Sequence, residues 1–521
     1  MLFESPLTGS QVCERRLFGV TNMTRTRRCN NGLRYLLLLG LVLGFITQSV
    51  SSYALETPAG SAIISSPARI GGVSGYGDER DADIYPAVAY DPSSGRYLVV
   101  WMTPRNAGSS SDGFDVYGVF LNRSGQRVGS EFRISDDNTV ARSSFPTVIT
   151  GKSEFVVSWT TRGTSCQIVV QRVTDSSYRS DRVIVSGSGH RHSPSLAYNP
   201  ARQRYMMVYV EGDDYLPPTF YGAQTADCGN NASSLSRVKA IEFYFSGDTP
   251  IAGNILAVAD VNGGGFRPRL TYSGSMNQYL VVWEDRRNAG GQLYRFDVYS
   301  QRISGDLVIQ ESDLPLATGG DYTNYDTTAT WTPRPAVSEG DGRFLAIWFT
   351  RTTQGSAVIW SVMGNFIPAS GSPSATPFTI ARMSFAQSHA GNSPAGFLGI
   401  AYSWGSKEYL VGISSYLESV WGYLSFALIQ RVNNNGQLLK MDGSLQSQPG
   451  VGYSVDYENE DQLAPGIAVN PISNPSTTDF IIMYGKHLVN QTAQDTDIWS
   501  VIVKEEAPYI KNVFLPLIMK R

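Results

Sequence analysis

An all-β ring, a β-propeller of seven four-stranded blades, is the fold class the sequence predicts, and three observations predict it. The chain of 521 residues carries 51 glycines and 26 prolines, with only 17% charged residues. That is the profile of a turn-rich β protein rather than a helical one. A short unit recurs seven times along the chain. The aromatic that ends its second strand stands at Trp101, Trp159, Tyr209, Trp283 and Trp348, in steps of 58, 50, 74 and 65 residues. Steps of this size suit a four-stranded blade with generous loops.

The N-terminus comes first in chain order. Arg25, Arg27, Arg28 and Arg34 precede an apolar run from Tyr35 to Ile46, followed by Ser52-Tyr53-Ala54. A basic stretch, a short apolar core and a small-x-small site read as a secretory signal peptide over residues 1–54. The run is shorter than the roughly 20 residues a membrane-spanning helix needs, so no transmembrane segment is expected after cleavage. Met23 is an alternative start, because residues 1–22 show no pattern. The expected organisation is signal peptide 1–54, propeller 55–506 and an apolar C-terminal tail 507–521.

The clearest unit reads Pro86-Ala-Val-Ala-Tyr90-Asp-Pro, Gly95-Arg-Tyr-Leu-Val-Val-Trp101, Asp115-Val-Tyr-Gly-Val-Phe120 and Phe132-Arg-Ile-Ser135. Copies begin near Phe145, Pro194, Pro268, Pro335, Ile400 and Pro465, the sixth being the weakest. Each reads as four short strands separated by turn residues. The second strand, as in Tyr97 to Trp101, is apolar at every position, so neighbours must cover both of its sides. A lone sheet of this kind cannot bury two apolar faces, so copies must stack. Stacking in a ring also removes long exposed sheet edges. The last unit lacks a fourth strand, and Ala68-Arg-Ile-Gly71, ahead of the first unit, resembles the missing one. Closure of the ring by this N-terminal strand is therefore expected.

In the fourth unit, Trp283-Glu-Asp-Arg-Arg287 precedes Asp297-Val-Tyr-Ser-Gln-Arg302. With these segments the units resemble β-propeller repeats of bacterial exported proteins, loosely of the TolB or YWTD-like kind. The resemblance covers nearly the whole mature chain and implies a fold but no activity. The end, Asn512-Val-Phe-Leu-Pro-Leu-Ile-Met-Lys-Arg521, is similar to a Phe/Tyr-Leu-Pro-Leu tail on exported proteins of some filamentous bacteria.

Composition narrows the partners. The 42 basic and 45 acidic residues become 36 and 43 once six arginines and two glutamates of residues 1–54 are set aside, a net of −7. No clustered basic face for nucleic acid is expected. Cys166 and Cys228 remain in the mature chain, where an oxidising compartment permits a disulfide; sequence leaves open whether their α-carbons come within bonding distance. A thiolate metal site would need more ligands than two. His190 and His192 lack a third ligand at supporting spacing, so no metal site is expected. Calcium is left open for the acidic loops Asp78–Asp83 and Asp456–Asp461, neither of which follows an EF-hand pattern.

No catalytic set stands out. Gly391-Asn-Ser-Pro-Ala395 departs from a nucleophile elbow at its last residue, and Ser-x-Asp-x-Gly-x-x-Trp boxes of sialidase-type propellers are absent. Asp213, Asp214, Asp260 and Glu284 are available as carboxylates. Arg105, Arg162, Arg286 and Arg351 recur after the second strand and read as blade structure, since an active site is asymmetric. Departures from the repeat are more informative: insertions at 211–231 and 319–334 carry Tyr215, Tyr221, Tyr322, Tyr325 and Trp331. Aromatics on loops over a rigid scaffold suit ligand binding. The expected reading is a non-catalytic binding propeller, secreted or at the cell surface, that takes a protein or glycan through its face loops. Its competitor is a glycoside hydrolase or polysaccharide lyase on the same scaffold.

Overall fold

The computed structural model describes residues 62–71, 83–104, 114–135, 142–162, 164–174, 182–185, 189–213, 228, 236–259, 264–288, 296–318, 335–354, 357–386, 397–419, 422–450, 452–455, 467–471, 479–487 and 496–505. They form seven antiparallel sheets of four or five strands. Blade 1 consists of Ile84–Asp91, Arg96–Thr103, Asp115–Asn122 and Arg127–Arg133, hydrogen-bonded in that order. The first strands of blades 2 to 7 are Arg142–Thr150, Arg191–Asn199, Gly265–Ser273, Ala336–Glu339, Phe397–Ser403 and Ile467–Pro471. Each first strand touches that of the next blade, and the one in blade 7 touches the one in blade 1. The ring is closed. The chain is a seven-bladed β-propeller.

Blade 7 is completed from the other end of the chain. Its third strand, Thr496–Glu505, pairs with Ala68–Gly71, with Ala68 opposite Ser500 and Arg69 opposite Trp499. Arg69 also holds Asp497 through two contacts of 2.8 Å. The expected closing strand is present. A second segment, Ala62–Ile64, extends the closure along the same strand, with Ala62 opposite Glu505. The weak sixth unit is a full blade, whose second and third strands run to Glu408–Ser419 and Gly422–Asn433.

Why the second strand is apolar throughout is visible in the packing. Successive residues of a strand point to opposite faces, so Tyr97, Val99 and Trp101 pack towards blade 7 against Ile481 and Met483. Leu98 and Val100 pack towards blade 2 against Val148, Phe155 and Val157. Both sets are fully buried. The core is therefore a circle of interfaces between blades rather than one central cluster.

A second device joins the blades. The second strand opens with Tyr97, Phe155, Tyr205, Tyr279, Phe344, Tyr409 or Phe480, all buried. In four blades a cross-strand tyrosine packs beside it, with ring centroids 4.7–4.9 Å apart for Tyr90–Tyr97, Tyr198–Tyr205, Tyr272–Tyr279 and Tyr402–Tyr409. The opening tyrosine reaches under the turn of the preceding blade. Tyr205 donates to Glu154 of blade 2 at 2.5 Å, and Arg172 holds the other oxygen of that carboxylate.

Candidate ligand-binding face

Antiparallel blades sort the connections onto two faces. Turns between first and second strands, and between third and fourth, lie on one face. Loops from second to third strand, and from each blade to the next, lie on the other. The insertion at 211–231 joins the second and third strands of blade 3, Arg204–Glu211 and Arg237–Ser246. The insertion at 319–334 joins the last strand of blade 4, Leu314–Ala317, to the first of blade 5, Ala336–Glu339. Both therefore leave and rejoin the loop face. Tyr215, Tyr221, Tyr322, Tyr325 and Trp331 themselves lie outside the described residues.

One anchor of the first insertion is described. Cys228 is bonded to Cys166, which opens the third strand of blade 2, with α-carbons 5.5 Å apart. The question left open by sequence is thus answered: the cysteines pair, and a covalent tie crosses from one blade to its neighbour. His190 supports the anchor, because its Nδ1 accepts the Cys166 backbone N–H at 3.1 Å. His192 is buried, with its Nδ1 3.1 Å from the Ser193 hydroxyl. The two histidines thus engage separate partners.

The entry of each of blades 1 to 4 at this face is bulged. Tyr85, Phe145, Ser193 and Arg267 adopt left-handed backbone conformations with φ of 57°, 55°, 56° and 48°. Each precedes a proline, and the strand register shifts at each of them. Left-handed non-glycine residues store roughly 1–3 kcal/mol of strain, so their recurrence marks a requirement these four blades share. The side chains mounted on this shared backbone differ. Tyr85 and Phe145 meet edge to face with centroids 4.9 Å apart. The Ser193 N–H donates to Thr160 at 3.1 Å. Arg267 is buried and forms an ion pair with Glu284.

Blade 4 continues this charged character. Asp285 accepts from the Trp283 indole at 2.8 Å and from Arg287 at 2.7 and 2.9 Å. Arg287 also reaches Asp313 at 2.6 Å and lies 4.0 Å above the Tyr299 ring. Asn288 donates to Asp297 at 2.7 Å. Arg286, just past the second strand of blade 4, and Arg351, within that of blade 5, are buried. Low dielectric around such charges requires the mutual satisfaction that Arg267–Glu284 and Asp285–Arg287–Asp313 show. Glu284, available as a carboxylate from sequence, is held by Arg267. Asp213 accepts the Ser236 hydroxyl through its carbonyl, while Asp214 and Asp260 lie outside the described residues. Among the described residues no group of three or more His, Cys, Asp or Glu is placed to hold a metal ion. Of the acidic loops considered for calcium, only Asp83 is described; it is buried. No described helix is long and apolar enough to cross a membrane.

The turn face holds a group that sequence reading passed over. Four turns align residue for residue: Tyr90 to Tyr97, Tyr198 to Tyr205, Tyr272 to Tyr279 and Tyr402 to Tyr409. Their second turn residue is Pro92, Pro200, Gly274 and Trp404. The tryptophan is 48% exposed and stands edge-on to Tyr402, with centroids 5.1 Å apart at 89°. Its side chain and that of Ser273 of blade 4 lie beside Glu339 of blade 5. Burial pushes the Glu339 carboxyl up to about 7, against the pull of these neighbours and the Gly274 N–H. The exception to the Pro/Gly turn pattern was the signal available in the sequence.

Glu339 has a stability consequence. Its folded pKa lies above the ordinary value of 4.5, so the native state holds the proton more tightly than the unfolded chain. The resulting stability is fully present below about pH 4.5 and is lost as pH rises through about 7. Charged and titratable groups around it are Asp341, Arg343, Lys407, Tyr272, Tyr402 and Tyr409. Denaturant unfolding between pH 5 and 8 is expected to show this loss, about 2 kcal/mol after allowance for solvent screening. Glu339→Gln should flatten the profile over that window. Parallel wild-type and variant profiles would rule out a raised carboxyl.

No family model matches the chain, and neither does any curated protein. Among solved structures it is similar to the sialidase of Trypanosoma rangeli in complex with the inhibitor DANA, at 9% identity and a TM-score of 0.41, covering 84% of this chain. The chain spans 60% of that sialidase's length. It is also similar to the α-L-arabinanase of Penicillium chrysogenum complexed with arabinobiose, at 12% identity and a TM-score of 0.40, covering 84% of this chain and 98% of that one. For the hemagglutinin-neuraminidase ectodomain of parainfluenza virus 5 the values are 10% and 0.42, with 92% and 96% covered.

Proposed function

We propose that this protein is an exported, non-catalytic binding propeller that engages a protein or glycan ligand through the insertions of its loop face. The observation that carries this reading is the shared origin of the two largest departures from the repeat. Both spring from the loop face, and the first is tied across a blade boundary by Cys166–Cys228. Anchoring a binding loop on a rigid scaffold lowers the entropy lost on association. A disulfide and the signal-peptide pattern both suit an extracytoplasmic location. The ligand-contacting residues in this reading are Tyr215, Tyr221, Tyr322, Tyr325 and Trp331.

Glycan-array and surface-protein capture with the mature chain tests the proposal. Replacing Tyr325 and Trp331 together by Ala is expected to weaken capture by roughly thirtyfold or more, as for truncated aromatic anchors, with an unchanged melting temperature. Breaking the tie with Cys166→Ala and Cys228→Ala should weaken capture as well. Intact capture by both variants would overturn the assignment. Turnover of a captured polysaccharide, measured in the same samples, would instead establish the carbohydrate-active enzyme.

A further inference from the structure

Trp404 is not needed for the turn that carries it. Three aligned turns close on Pro92, Pro200 or Gly274, and the local geometry is the same, since Gly95, Gln203, Asn277 and Lys407 all take a left-handed φ of 48–66°. Hydrophobic burial does not explain it either, because it is the most exposed aromatic side chain among the described residues. Yet the indole is restrained: its ring abuts Tyr402 edge-on, with centroids 5.1 Å apart, and Glu339 lies beside it. An exposed aromatic held in one orientation loses little entropy on binding.

The surroundings select the class of ligand. Lys407 and Asp341 form an exposed ion pair at 3.3 Å across the same seam of blades 5 and 6, and Ser273 joins Glu339 from blade 4. Among the described residues of blades 5 and 6 no other large apolar side chain is exposed except Leu445, and exposed Val308 and Ile309 on the same face belong to the third-to-fourth-strand turn of blade 4. A stable protein interface buries about 1,200 Å² or more around an apolar centre, which one indole with a polar rim does not supply. A sugar ring fits better, having an apolar C–H face for the indole and an edge of hydroxyls for the rim.

We propose that Trp404 is the stacking platform of a saccharide subsite on the turn face, taking one uncharged pyranose ring, with Glu339 as the residue that positions the indole. This subsite lies on the face opposite the insertions and is independent of them.

The test uses the full mature chain with maltohexaose, cellohexaose, mannohexaose and hexa-N-acetylchitohexaose as probes. Calorimetry is paired with NMR of ¹⁵N-indole groups, the Trp404 resonance being assigned by its loss in Trp404→Phe. At least one probe is expected to bind and to shift that resonance. Trp404→Ala should weaken binding roughly tenfold or more without moving the melting temperature, Trp404→Phe should retain part of it, and Glu339→Gln should alter the free Trp404 resonance. The Tyr325/Trp331 double variant should bind the probe normally, which separates this subsite from the loop face. Should Trp404→Ala lower the melting temperature, the resonance shift in the unmutated chain decides. Failure of all four probes at millimolar concentration, or a shift that spares Trp404, overturns the proposal. Binding lost only in the Tyr325/Trp331 variant does so too and assigns the sugar to the insertions.

Discussion

A chain that begins at residue 73 is expected to melt several °C below one that begins at residue 55. The deletion removes both segments that pair with Thr496–Glu505 and leaves that strand as a new edge. It also removes Ile70, which is buried among Val88, Tyr97, Trp101 and Ile498. Loss of a buried isoleucine alone amounts to about 2–5 kcal/mol, and a chain of this size loses roughly 1 °C for each kcal/mol. Gly71 lies against the Trp101 ring so closely that a Cβ there would be 2.8 Å from it, so the tryptophan loses its cover as well. Trimming residues 55–60 alone ends before Ala62 and should leave melting unchanged. Ile70→Ala should fall between the two. An unaltered melting curve for the longer deletion would falsify closure by the N-terminal strands.

The second large effect is expected at the seams of the turn face. A Cβ added at Gly151 would lie 1.7 Å from the Tyr205 hydroxyl, and one at Gly340 would lie 1.8 Å from that of Tyr409. The next ring carbon is also within 2.5–2.7 Å, so a rigid, buried tyrosine has to leave its seat. Overpacking of this degree destabilises by about 3 kcal/mol or more. Gly274→Ala is the control, because nothing lies within 4 Å of its Cβ position. Tyr205→Phe in the Gly151→Ala background should recover only part of the loss, since the ring carbon still collides. Thermal or denaturant unfolding of the unmutated chain, Gly151→Ala, Tyr205→Phe and the double variant completes a cycle that isolates the coupling. Equal stability for Gly151→Ala and Gly274→Ala would show that Tyr205 does not lock blade 3 to blade 2.

Those seams show which features were open to reading along the chain. Second strands such as Tyr97 to Trp101 were legible because burial between two blades demands apolar residues at every position. The closing strand Ala68–Gly71 was legible because one unit lacked its last strand and the chain offered a match ahead of the first. Ala62–Ile64 has three residues and no likeness to any unit, so only its place beside Val503 to Glu505 identifies it. The bulges at Tyr85, Phe145, Ser193 and Arg267 were hidden too, because proline restrains the residue before it without dictating a left-handed backbone. That conformation comes from the ladder on either side.

For the sites the division is the same. Sequence by itself determined that the chain repeats, where the repeat breaks, and which residues are candidates: the insertion aromatics, the two cysteines and the recurring arginines. Each follows from a local pattern that recurs or fails to recur. Tertiary structure alone decided that Cys166 meets Cys228 across 62 residues of chain, that Glu284 is held by Arg267, and that Trp404 stands exposed beside Glu339. In each case the partners belong to different strands or blades. Their meeting is fixed by how many residues each blade needs to close the ring, a global condition that no short stretch of chain contains.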